Sequence, residues 1–227
     1  MAIECITFDL DDTLWECTPV LLRAEERLRR WLLEHCPRIR VAGDEAALLA
    51  HRRGYYERHP ELAHDLGALR HGWLTALLAE HGYRAGLAET AFALFLEERN
   101  RVELYPGAAE TLERLARRYA LGAITNGNAD CHRIGIADHF DFVITAAAVG
   151  AAKPAPRIFQ AALAAAGVEP ARAVHVGDDP ERDVLAAATV GMRAVWVNPR
   201  LRPWPGGAQP DAVVRGVCEV EALLEGW

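Results

Sequence analysis

The sequence predicts an α/β fold: a mainly parallel sheet with an all-helical insertion. Three observations predict it. Strand-like and helix-like segments alternate from about residue 105 to the C-terminus. One short strand stands apart at the N-terminus, and only helical patterning fills the chain between them. Alternating elements of this length imply right-handed βαβ crossovers and hence parallel strands.

The first element, CITFDL at 5–10, is β-branched and aromatic and ends in acids. Thr18-Pro19 is expected to open a helix as cap and first-turn residue, continued by VLLRAEERLRRWLLEH at 20–35. Further helical patterns run over about 44–58, 66–80 and 87–101, with charged faces. After Tyr105-Pro106-Gly107 the rhythm changes. Helix AAETLERLARRYA leads to strand LGAIT, the loop NGNAD and a weak short helix. Strand FVITAA, helix PRIFQAALAAAG, strand AVHV and loop GDDPERD come next. Helix VLAAATVG, strand RAVWV, a Pro/Gly-rich loop over 198–210, and a last short strand and helix close the chain. A lone first strand cannot form a sheet, so the helical segment must leave the sheet domain and return. The expected division is 1–15 with 103–227 as the sheet domain and 16–102 as an inserted helical cap.

Composition narrows the partners. A formal charge of −7 and a pI near 5.7 argue against nucleic acid or an anionic membrane as main partner. An anionic substrate would need local positive charge. No apolar run reaches the length of a membrane span, and no basic segment followed by an apolar one marks a signal peptide. The 5 cysteines are odd in number and widely spaced, which points away from a disulfide framework or zinc site and toward the cytoplasm.

The chemistry lies in the residues just past the strand ends. Asp9, Asp11, Asp12 and Thr13 come after the first strand, and Thr125, Asn126 and Gly127 after LGAI. Lys153-Pro154 stands past the third, and Gly177, Asp178, Asp179 and Asp183 come after AVHV. All four sets are expected at the carboxyl edge of the sheet, where open α/β sheets bind ligands. Lys153 is the only lysine among 25 lysine and arginine residues. Three acids within four residues repel one another unless a cation compensates.

These sets together resemble the haloacid dehalogenase-like (HAD) hydrolase superfamily, through FDLDDTL at 8–14, ITNGN at 124–128, KP at 153–154 and VGDDPERD at 176–183. The resemblance implies a Rossmann-like three-layer core with the helical cap inserted after the first motif. It also implies Mg²⁺-dependent hydrolysis of a small phosphomonoester through an aspartyl intermediate. Asp9 would be the nucleophile and Asp11 the acid and base. Thr125, with Asn126 and Gly127, would bind the phosphoryl group, and Lys153 would neutralise charge. The implied metal ligands are Asp9, the Asp11 main-chain oxygen and Asp178, with Asp183 in support. Aspartate at position 11 favours a phosphatase over a 2-haloacid dehalogenase, which needs no leaving-group acid. A catalytically inactive binding protein of the same fold is the remaining alternative.

In the cap, His64, Asp65 and Arg70 are candidates to read the rest of the substrate, with Trp73 in the cap core. Trp15 is read either as lining the entrance or as packing. A closer resemblance, through DLDDTLW, HD…LR, AITNGNA, HVGDD and GMRAVWVNP, is to a bacterial branch with flavin mononucleotide phosphatases. It places FMN and related riboflavin-pathway phosphates among the expected substrates. The expected assembly is a monomer or homodimer.

Overall fold

The computed structural model describes residues 2–227, in two compact units. One unit runs to Glu16 and resumes over Glu103–Gly127 and Cys131–Trp227; the other comprises Cys17–Val102 with Asn128–Asp130.

The first unit is built on six strands: β1 (Cys5–Phe8), β2 (Ala120–Thr125), β3 (Phe142–Thr145), β4 (Ala173–Gly177), β5 (Arg193–Val197) and β6 (Ala212–Val214). Their order is β3-β2-β1-β4-β5-β6, and every pairing is parallel. The chain moves outward from β1 through β2 to β3, then restarts at β4 and runs the other way. The topological switch point therefore falls between β1 and β4, where α/β sheets bind their ligands. Every residue of β1 and β4 is buried, as expected for central strands covered on both faces. Gly122 of β2 is required by packing, because a Cβ there would stand 2.1 Å from the Phe142 ring of the neighbouring strand.

The second unit holds α1 (Cys17–His35), α2 (Glu45–Arg58), α3 (Leu66–Glu80) and α4 (Gly86–Arg99). Val20, Ala24, Leu28 and Leu32 recur every fourth residue and form the buried stripe of α1. Ala24, Leu28 and Leu32 of that stripe share a core with Trp73, Leu74 and Leu77 of α3 and Phe95 of α4. Asp44 caps α2 by accepting from the Ala47 N–H at 3.1 Å, a bond of the kind worth about 1 kcal/mol. Helix α1 begins at Cys17, so Thr18 lies inside the first turn instead of capping it.

The sheet unit adds α5 (Ala108–Ala116), α6 (Cys131–Ile134), α7 (Ala146–Val149), α8 (Pro156–Ala166), α9 (Ala186–Thr189) and α10 (Val220–Leu224). Two segments depart from the sequence expectation. The strand expected over FVITAA stops at Thr145, whose Oγ1 accepts from the Ala148 N–H at 3.2 Å and turns the alanines into α7. The helix expected over VLAAATVG is preceded by a π-helical segment, Pro180–Leu185, in which the Val184 N–H reaches the Asp179 carbonyl five residues back. No helix among the described residues is long and apolar enough to cross a membrane.

Candidate active site

The site is built first from the end of β1. The Asp9 N–H donates to the Val176 carbonyl at 2.9 Å, so this acid continues the ladder to β4. The chain then turns sharply. Leu10 and Leu14 are fully buried and anchor the turn, and Asp12 adopts a left-handed φ of 62°. That conformation suits aspartate better than most side chains, which accords with a turn role for Asp12. The Asp12 N–H donates to the Trp15 carbonyl at 2.7 Å, and the Trp15 indole N–H donates to Asp11 Oδ1 at 2.9 Å. Thr13 is buried, with its hydroxyl 3.4 Å from Asp9 Oδ2.

Lys153 meets this acid from the loop after α7. Its Nζ lies 2.5 Å from Asp9 Oδ1 and 2.7 Å from Asp183 Oδ1, with the lysine side chain 3 % exposed. Asn126, just past β2, clamps the lysine backbone in both directions. Its Oδ1 accepts from the Lys153 N–H at 2.7 Å, and its Nδ2 donates to the Lys153 carbonyl at 2.9 Å.

Asp183 is satisfied on both oxygens. Oδ1 faces Lys153 and His175 Nε2 (3.2 Å), and Oδ2 accepts from the Asp179 N–H at 3.0 Å. The carboxylate lies against Gly177, where an added Cβ would stand 2.3 Å from its Cγ. Carboxylate oxygens of Asp9, Asp178 and Asp183 all come within 4.8 Å of one another. Hard oxygen donors gathered in this way, two of them buried, fit a small divalent cation such as Mg²⁺.

The electrostatics arise from burial. It pushes the Asp9 carboxyl up to about 8 against the pull of Lys153, with Asp183 and Asp11 adding to the rise. Burial likewise pushes Asp178 up to about 7, helped by Asp183, Asp12 and Asp179. Burial alone would raise Asp183, but Lys153 and His175 hold it well below the usual carboxylate range. Burial would lower Lys153, yet Asp183 and Asp9 keep it above its ordinary value and charged.

Asp9, Lys153 and the Asp178–Asp183 segment thus come together from three distant parts of the chain. Thr125 is buried at the end of β2, and its Oγ1 accepts from the Gly127 N–H at 2.9 Å. The hydroxyl proton of Thr125 is not used by that bond, whereas the Gly127 N–H is. Asn126 spends its amide on Lys153, so its visible work is to place the lysine. Of the helical-unit candidates, Asp65 caps α3 through the Ala68 N–H at 2.8 Å. Arg70 is buried, paired with Glu25 at 2.7 Å and stacked over Phe95 at 3.6 Å. His64 lies half-buried just before that cap. Of the two readings of Trp15, packing is the one seen: its side chain is fully buried and its indole N–H holds Asp11. Thr7, whose Oγ1 lies 2.8 Å from His175 Nδ1, and His175 make supporting contacts that sequence reasoning missed, as does Gly177. The signal for the first two was a polar residue inside an otherwise apolar strand.

Comparison with known proteins agrees with this geometry. The profile of the haloacid dehalogenase-like hydrolase family matches residues 3–191. Among curated relatives, the chain is 32% identical over 231 residues to the 5-amino-6-(5-phospho-D-ribitylamino)uracil phosphatase YigB of Escherichia coli K12, covering 98% of this chain and 96% of the relative. It is 36% identical over 250 residues to a phosphoserine phosphatase of Thermus thermophilus, covering 96% and 98%. Among solved structures, one described as a 2-haloacid dehalogenase from Pseudomonas syringae pv. Tomato DC3000 superposes with a TM-score of 0.93 at 39% identity, over 99% of both chains.

Proposed function

Because the chain belongs to the haloacid dehalogenase-like hydrolase family, we propose that it is a Mg²⁺-dependent phosphatase of a small phosphomonoester metabolite. The observation that carries this reading is the charge balance of the site. Asp9, Asp178 and Asp183 bring three negative charges when ionised, and buried Lys153 returns one, leaving two; the exposed Arg202, 3.7 Å from Asp178, is screened by water and offsets little of that surplus. A divalent cation offsets that surplus, and only then can a phosphate dianion approach.

In this reading the cation is held by Asp9, Asp178 and the Asp11 main-chain oxygen, with Asp183 in support, and it supplies positive charge to the phosphoryl oxygens. The Asp9 carboxylate attacks phosphorus, the ester P–O bond breaks, and the Asp11 carboxyl gives its proton to the departing oxygen. Water then attacks the aspartyl-phosphate, Asp11 takes its proton, and the bond to Asp9 breaks to release inorganic phosphate. The Lys153 ammonium stays on Asp9 throughout and offsets charge as it develops. The Thr125 hydroxyl donates to a phosphoryl oxygen. Substrates are drawn from the soluble phosphometabolites of the cytoplasm. The YigB likeness favours FMN and ribityl phosphates, and the Thermus likeness makes phosphoserine the necessary comparison.

The Pseudomonas likeness raises a second reading, hydrolysis of a carbon–halogen bond. Halide leaves without a proton, so that chemistry gives Asp11 no acid role and does not need three gathered carboxylates. The deciding experiment offers purified protein FMN, ribityl phosphates, phosphoserine, sugar phosphates and 2-haloacids, with Mg²⁺ or EDTA. EDTA-sensitive phosphate release, lost in Asp9→Asn with the fold intact, is the expected result. Halide release would establish the second reading. Metal binding without turnover on any of these would make the chain an inactive binding member of the family.

A further inference from the structure

We propose that Thr7 and His175 are positioning residues, forming a buried relay that fixes Asp183 and, through it, Lys153 and the metal site. The sheet register places the two directly opposite each other on the paired central strands β1 and β4. Thr7 Oγ1 lies 2.8 Å from His175 Nδ1, and His175 Nε2 lies 3.2 Å from Asp183 Oδ1. None of the three is more than 1 % exposed, so no solvent can replace a missing partner. The Phe159 ring packs against the imidazole in a T-shaped pair, with 5.1 Å between centroids and 88° between planes, which restricts the plane of the imidazole.

The direction of the relay is set by its two ends. A bare Nε2 lone pair facing a carboxylate would be repelled, so Nε2 carries the proton and donates to Asp183. Nδ1 of the neutral ring is then an acceptor and takes the Thr7 hydroxyl proton. The other acceptor for that hydroxyl, the Val174 carbonyl, is farther away at 3.4 Å. Asp183 thereby fills three of its roughly four acceptor sites, with Lys153 and His175 on Oδ1 and the Asp179 N–H on Oδ2. One site on Oδ2 remains. A carboxylate held at three points cannot rotate away when Lys153 or a cation is exchanged. Histidine is suited to this place because it spans the distance between a hydroxyl on one strand and an acid beyond the next. It does so with one donor and one acceptor and adds no charge.

The inference rests on the metal-dependent reading above, and its test separates the two. Nitrogen-15 NMR of the metal-free wild-type chain reads the His175 tautomer directly. A protonated Nε2 with an unprotonated Nδ1 is expected, and the reverse tautomer would overturn the relay. Calorimetric titration with Mg²⁺ then compares variants after EDTA stripping. Folded His175→Leu should bind Mg²⁺ about 10- to 100-fold more weakly, the usual cost of losing an outer-sphere partner. His175→Gln keeps an N–H donor and should recover most of that loss. Thr7→Val should weaken binding in the same direction, and Thr7→Ser should restore it. Variants that lower the melting temperature but bind Mg²⁺ within about 2-fold of wild type would leave only a packing role and sink the proposal. If the wild type itself binds no Mg²⁺, the metal-dependent reading fails, and the tautomer still decides the relay.

Discussion

Gly177→Ala tests the tightest contact in the site. The added methyl would stand 2.3 Å from Asp183 Cγ and 2.5 Å from Oδ2, against 3.4 Å where ordinary contact begins. The carboxylate must therefore retreat by about 1 Å, or β4 must shift by as much. Asp183 is held at 2.7, 3.2 and 3.0 Å by Lys153, His175 and the Asp179 N–H. A displacement of that size exceeds what hydrogen bonds of those lengths tolerate. Overpacking alone costs about 1–3 kcal/mol, and a lost hydrogen bond to a charged group costs about 1.5–3 kcal/mol. A stability loss of about 3 kcal/mol is expected in urea unfolding. Phosphate release should fall about 100-fold, the scale of a 1 Å misplacement. Gly43→Ala is the control, since a Cβ there meets nothing within 4 Å, and it should stay within about 0.5 kcal/mol. The reasoning fails if Gly177→Ala matches wild type both in urea and in turnover.

Trp15→Phe keeps an aromatic ring but removes the N–H that holds Asp11 Oδ1, so kcat should drop about 10-fold; an unchanged kcat would mean the indole does not place that acid. In EDTA, Asp9 (about 8) and Asp178 (about 7) hold protons in the folded state that the unfolded chain releases above the ordinary value of 3.8. The native state binds more protons across that window, so their stabilising contribution is full below pH 4 and fades as pH rises toward 8. Asp183 and Glu25 have the opposite sign and lose stability only as pH falls below 3.8 and 4.5, and His175, held below its ordinary 6.5 by burial, adds an opposing rise that is complete by about pH 6.5. Melting temperatures in EDTA should therefore decline from pH 6.5 to 8, and saturating Mg²⁺ should flatten the slope; a rise over that range in EDTA would contradict the assignment. In the helical unit, Glu25 accepts from both Arg70 and Arg52. Glu25→Gln would leave the buried Arg70 without its carboxylate, at a cost of about 2 kcal/mol in urea unfolding, below the full value for a buried pair because Glu25 is partly exposed.

The parallel sheet was legible because each strand is an apolar run between turn signals, and the runs alternate with helices. What failed locally did so for local reasons. Ala146 and Ala147 have little strand preference of their own, so one hydroxyl, that of Thr145, was enough to turn the chain into a helix. The acids and the lysine were legible by type: charge at the ends of apolar strands is expensive and has few uses. Residues with several uses were harder. Asn126 carries a donor and an acceptor, which suits a substrate or a backbone equally, and only the fold shows that the Lys153 peptide takes both. Asp65 stands directly before a helical run, where aspartate is a strong cap, and that signal outweighs any reading from its charged neighbours.

The relay behind Asp183 shows how far such reading can extend. Thr7 and His175 are 168 positions apart, so no spacing rule links them. Yet each is a polar residue within a short apolar strand, CITF and AVHVG, and both strands lie at the centre of the sheet. A strand covered on both faces gives its polar side chains no water, so each must find a partner inside the protein. Once β1 and β4 are recognised as neighbours, the number of buried polar groups available to one another is very small. Their pairing is then dictated by register, and the remaining histidine nitrogen must seek an acceptor at the same edge, where Asp183 stands. Interior polar residues of central strands therefore point to the supports of an active site, as the charged residues at strand ends point to its chemistry.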